Sequence, residues 1–165
     1  MIRLARALKL WSRRLNRVVE GVLCLLGLTM AALTLAQVFA RYGLNHSIFW
    51  SEEVGRMILI ALTFLGASAA WARGAHIGID VAVTRLPPEA RRWVRAFALL
   101  CGLVFGVFLT VQGAKFAHFV RRQIMSATGV SRTVPAAVVP IGGAVLAFHA
   151  LADLLALVAR LEEEP

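Results

Sequence analysis

Four long apolar runs bounded by charged residues dominate the chain, over residues 18–40, 54–72, 94–117 and 134–158. A helix needs about 20 mostly apolar residues to cross about 30 Å of hydrocarbon, so each run predicts one membrane-spanning helix. The second run is the shortest, its charge-free stretch reaching only from Met57 to Ala72. Arg56 and Arg73 at its ends can carry their charges to the two interfaces on long apolar stems, so it still counts as a full crossing. Trp50, Trp71 and Trp93 fall at span ends, where an amphipathic indole prefers the headgroup region.

Ahead of the first run the pattern changes. Leu4, Leu8, Trp11, Leu15 and Val18 recur at helical spacing, while Arg6, Lys9, Arg13 and Arg17 fall on the opposite face and Arg3 and Arg14 add to the basic character. Residues 1–17 are therefore expected to form an amphipathic helix lying in the interface, its apolar stripe in the acyl boundary and its cations on anionic headgroups. A basic start before an apolar run also suits a secretory signal, with small residues near Ala36. The run is longer than the roughly 7–15 residues of a signal core, and Gln37-Val38-Phe39 continue its pattern, so it is read as the retained first span. The expected fold is an all-α integral membrane protein: an interfacial helix, a four-helix transmembrane domain over residues 18–158, and a polar tail over 159–165.

Composition agrees. Apolar residues make up 59% of the 165 positions, and the mean hydropathy is +0.75, well above a soluble average. The net charge of +9 lies at the chain ends and between the runs. That distribution encodes topology and excludes a nucleic-acid-binding face, which would interleave its cations with polar and aromatic groups. The basic leader, and the group Arg73, Arg85, Arg91, Arg92 and Arg95, are expected in the cytoplasm. Lys115, Arg121, Arg122 and Arg132 run against that bias, but an even number of spans puts both termini inside.

Chemistry-bearing residues are few. Ser51 is placed to cap the second span, Glu52 and Glu53 to face the positive end of its dipole, and Arg56 stands one turn from Glu52, at ion-pair spacing. Capping plus a pair accounts for these residues without a ligand. Asp80 is placed to cap a short surface helix, and Pro87-Pro88 to open the third span. His76 has no ligating partner one turn away, so a hydrogen bond within its loop is expected. His149 and Asp153 are expected to form a buried pair that serves packing. Cys24 and Cys101 lack any metal-site spacing and are read as packing residues. Pro140 is expected to kink the fourth span, and Gly142 and Gly143, with Gly102, Gly106 and Gly113 of the third, to admit close helix approach. No catalytic, metal or cofactor constellation is visible, and the span middles lack the polarity that independent transport needs.

A series of motifs in fixed order carries a resemblance. It comprises Gln37-Val-Phe-x-Arg41-Tyr42, Ser47-x-x-Trp50-Ser-Glu52-Glu53-x-x-Arg56, Phe64-x-Gly66-Ala67, Arg73-x-x-His76-Ile-x-Ile-Asp80, and Pro135 followed by Pro140-Ile-Gly142. With these the chain resembles the small membrane subunit of tripartite ATP-independent periplasmic (TRAP) transporters; Gly78 departs from the bulkier residue expected there. The resemblance implies a scaffold in the bacterial cytoplasmic membrane that pairs with a large multi-span permease subunit. A periplasmic binding protein would deliver an organic anion, and an ion gradient, commonly sodium, would drive uptake. The competing reading is the membrane anchor of a respiratory enzyme, with His149 and His118 on haem or quinone.

Overall fold

The computed structural model describes residues 2–74 and 87–161. His76, Gly78, Asp80, the short helix expected after Asp80 and the acidic end of the tail lie outside the described residues. The described chain is helical: α1 Ile2–Gly43, α2 Ser51–Ala72, α3 Pro88–Phe119 and α4 Thr133–Leu161, with a 3-10 turn at Val120–Arg122. All four helices are long and apolar enough to cross a membrane. Pro88 opens α3 from the first helical position, where its missing N–H costs nothing and its fixed φ already suits the helix.

α1 is a single helix of 42 residues, about 63 Å at 1.5 Å per residue and so about twice the hydrocarbon thickness. The boundary expected at residue 17 is a change of polarity, with no break in the backbone. Along the whole helix the shielded positions keep a heptad register. Ala5, Ser12, Val19, Leu26, Leu33 and Ala40 are one set of sevenths, and Asn16, Leu23, Met30 and Gln37 the other. A seven-residue repeat is the signature of helices that pack along their length with a slight left-handed twist.

This seam is not the stripe that hydrophobicity suggested. Leu8 and Leu15 are half-buried beside the seam, but Trp11 and Val18 are each 64% exposed. In lipid, large apolar side chains gain nothing by facing another helix, whereas small residues let backbones approach, so Ala5, Ser12 and Ala40 take the inner face.

α4 is the hub. It packs against α3, α2 and α1, and α1 also packs against α2. Its inner positions include Ala150 and Ala152, which are buried almost completely. Glycines set the α3–α4 distance. A Cβ on Gly106 would lie 2.7 Å from the Ala147 backbone nitrogen, and one on Gly143 2.8 Å from the Thr110 nitrogen. Gly142 meets the Phe64 backbone of α2 at 2.9 Å in the same sense. α4 continues through Pro140, whose ring sits on Gly113. Trp71 departs from the interfacial role expected of it, because its indole fills the notch left by Gly102. Cys24 and Cys101 are free and exposed on the helix surfaces, so neither packs inside the bundle.

Candidate functional site

Two polar clusters stand at opposite ends of the bundle. The first is built on the seam of α1, where Lys9, Ser12, Asn16 and Glu20 recur at intervals of three or four residues and so share one face. Each layer meets a different neighbour. Lys9 Nζ lies 3.9 Å from an Asp153 carboxylate oxygen on α4. Ser12 Oγ shares a 2.6 Å hydrogen bond with Nδ1 of His149, also on α4. Asn16 Nδ2 donates to Glu20 at 2.7 Å, and the same Glu20 oxygen accepts from Arg73 Nε, just past the end of α2, at 2.6 Å. The Glu20 carboxylate, chiefly through that hydrogen bond, holds the Arg73 guanidinium still more firmly protonated.

The expected pair of His149 with Asp153 is therefore resolved differently. The imidazole turns to Ser12 and the carboxylate to Lys9, because α1 presents a small hydroxyl and a cation to the same face of α4. His149 is only 1% exposed and its Nε2 is buried without a partner among the described residues. Nor does the structure bring His149 and His118 together. Gly106 meets Ala147 while Gly113 meets Pro140, so the two histidines sit toward opposite ends of the α3–α4 pair. The twelve steps along α3 from Gly106 to His118 alone rise about 18 Å.

The second cluster occupies the other end. Glu53, in the first turn of α2, is half-buried and reaches the connection between α3 and α4. Its carboxylate accepts from the backbone N–H of Ala127 at 3.0 Å and of Thr128 at 2.8 Å, and from the hydroxyls of Thr128 at 2.9 Å and Ser126 at 3.3 Å. That connection is a small hairpin, with an antiparallel bridge between Ile124 and Ser131. Met125 donates to Val130 at 2.9 Å, and Gly129 supplies the positive φ of +68° that closes the turn. Backbone N–H groups converging on one anion form an anion-binding nest, here filled by the protein's own side chain.

The capping expected of Ser51 is not formed. Trp50 is the N-cap and makes no side-chain capping bond. The buried Ser51 hydroxyl instead donates to the Ile48 carbonyl at 2.6 Å, tying the helix to the turn before it. Glu52 and Arg56 are both exposed and form no ion pair with each other. Arg41, Tyr42 and Ser47 are exposed around them, Trp50 is partly exposed, and Gln37 lies in the α1 seam. On the basic leader, Arg3, Arg6, Arg13, Arg14 and Arg17 are exposed, with the Arg14 guanidinium 5.9 Å from the Trp11 ring centre.

Ser12, Asn16 and Glu20 belong to none of the sequence motifs. A signal existed, since Glu20 is an acid inside an apolar run, and such an acid in a span ordinarily has a partner facing the bundle.

Known proteins give this geometry a context. Residues 30–160 match the family model described as tripartite ATP-independent periplasmic transporters, DctQ component. The chain is 32% identical over 89 residues to the C4-dicarboxylate TRAP transporter small permease protein of Vibrio cholerae, covering 54% of this chain and 38% of that one. It is thus aligned with less than half of that relative's length. It is 24% identical over 155 residues to the sialic acid TRAP transporter small permease protein of the same species, covering 91% of this chain and 87% of that one. A match at 26% identity over 105 residues, 64% of this chain, falls within 16% of a much longer relative, the sialic acid TRAP transporter permease protein of Haemophilus influenzae. With four spans knit by glycine contacts and a family match over most of its length, the chain belongs to the DctQ component family of tripartite ATP-independent periplasmic transporters.

Proposed function

We propose that this inner-membrane chain is the small subunit of a TRAP uptake system and serves as a scaffold for a large multi-span permease subunit. The observation that carries this reading is the low polarity of the interior among the described residues. The buried polar side chains among the described residues are Ser12, Ser51, Ser68 and His149, and no charged side chain is fully buried. An organic anion and its coupling ion require more converging polar groups at the midplane than these described residues supply. Meanwhile α1 and α3 expose long apolar faces, including Leu25, Leu28, Leu35, Phe97, Phe105 and Phe108, that suit lipid or another membrane helix.

In this reading substrate and ion sites lie on the large subunit, a periplasmic protein delivers the organic anion, and an ion gradient such as sodium drives uptake. The alignment inside a far longer permease relative supports a large partner in close association. Both termini face the cytoplasm, which puts the Glu53 end, with Arg41, Tyr42, Ser47, Trp50, Glu52 and Arg56, toward the periplasm. Those exposed groups form the docking surface for partner chains. The basic leader of α1 widens the scaffold's footprint at the cytoplasmic interface.

The test is purification from native membrane in mild detergent followed by mass spectrometry, then uptake by the reconstituted complex. A stoichiometric multi-span permease, and anion uptake that needs both chains, is the expected result. A haem or flavin protein in its place would replace this reading with the respiratory anchor.

A further inference from the structure

We infer that Lys9 and Arg13 of α1 and Arg95 of α3, gathered around Asp153 of α4, form a binding site for the headgroup of an anionic phospholipid. The inference stands apart from the transport reading. Its basis is the way the fold collects charge. Lys9 approaches Asp153 to 3.9 Å, with their side chains 47% and 35% exposed, so neither is used up by the contact. Arg13 stands one helical turn beyond Lys9 on α1, and the antiparallel register in which Gly106 meets Ala147 and Gly113 meets Pro140 brings Arg95, near the start of α3, to the end of α4 that carries Asp153. Three cations against one carboxylate leave two positive charges unneutralised at one spot, and both arginines are exposed.

The architecture supplies the opening. α1 and α3 each pack on α4 but make no extensive contact with one another, so their basic ends flank the last turns of α4 with Asp153 between them. The exposed indoles of Trp11, on α1, and Trp93, two residues before Arg95, mark headgroup depth on both flanks. A basic pocket between membrane helices at that depth suits a phosphodiester, which brings acceptor oxygens to the cations while its acyl chains lie along the apolar helix faces. Asp153 acts as the counter-charge that keeps the Lys9 ammonium directed into the cleft.

The experiment is native mass spectrometry of the full chain, purified in detergent and titrated with phosphatidylglycerol, with phosphatidylcholine as the neutral reference. One phosphatidylglycerol should bind in preference to phosphatidylcholine. Since each cation near a phosphate contributes about fivefold, the K9Q/R13Q/R95Q variant should bind it about 100-fold more weakly. The R3Q/R14Q/R17Q variant removes the same charge from exposed α1 positions turned away from Lys9 around the helix, and should lose less than about fivefold. Equal losses in the two variants would show diffuse attraction and overturn the site. So would undiminished binding in the first variant, or equal retention of phosphatidylcholine by the unaltered chain.

Discussion

Ser12 and His149, 137 residues apart in sequence, meet at 2.6 Å between the hydroxyl oxygen and Nδ1, and neither side chain is open to solvent or lipid. This bond ties the extended N-terminal part of α1 to the hub helix. It accounts for the Ser12 hydroxyl in the α1 seam and for the buried imidazole that faces it on α4.

Removing one partner should be worse than removing both. Ser12→Ala strands the imidazole and is expected to cost about 1–3 kcal/mol, whereas Ser12→Ala with His149→Phe should recover part of that loss. Denaturant unfolding in detergent, followed by helical circular dichroism, measures both. A single variant as stable as the parent would remove the bond from the account of stability.

Glu53 and Glu52 should behave differently despite being neighbours. Glu53→Gln weakens the charge-assisted bonds to the hairpin, and hydrogen exchange at Ala127 and Thr128 should accelerate at least tenfold. Glu52→Gln should leave those amides unchanged, because its side chain is exposed and does not reach the hairpin. Any uptake defect from Glu52→Gln alone would then report on partner docking.

The glycines separate into two classes. Gly102→Ala drives a methyl group into the Trp71 indole, and Gly106→Ala brings one against the Ala147 backbone; overpacking of this kind costs about 1–3 kcal/mol. Gly27→Ala meets nothing within 4 Å and should be neutral or stabilising by up to about 1 kcal/mol through helix propensity. Melting temperatures of the three purified variants provide the comparison, and a destabilised Gly27→Ala would contradict it.

The Glu20–Arg73 pair should matter little for stability. Arg73 is exposed, so Glu20→Gln is expected to lower stability only slightly, and high salt should weaken the pair in the parent as well. A loss as large as that of Ser12→Ala in the same unfolding assay would show that Glu20 also holds Asn16 in the seam.

How much was legible follows from what each feature depends on. The four spans were readable because crossing a bilayer is a local requirement, met by about 20 apolar residues whatever surrounds them. Pro88 at the start of α3 and the ordered motifs of the family were equally local. The inner face of α1 was not readable by the usual rule. In water the large apolar stripe turns inward, but in lipid that drive vanishes, so Trp11 and Val18 stay outside while Ala5, Ser12 and Val19 pack.

The sequence by itself thus determined the number of the spans and the family of the chain, since each rests on residues close together in the chain. Only the tertiary structure decided the partners. Glu53 was readable as a dipole neighbour, yet it fills a nest made 74 and 75 residues later. Asp153 was readable as a partner for His149, yet it faces Lys9. Helical spacing names every neighbour a residue has on its own helix, but the choice among them is made by whichever other helix the glycine contacts allow to come near.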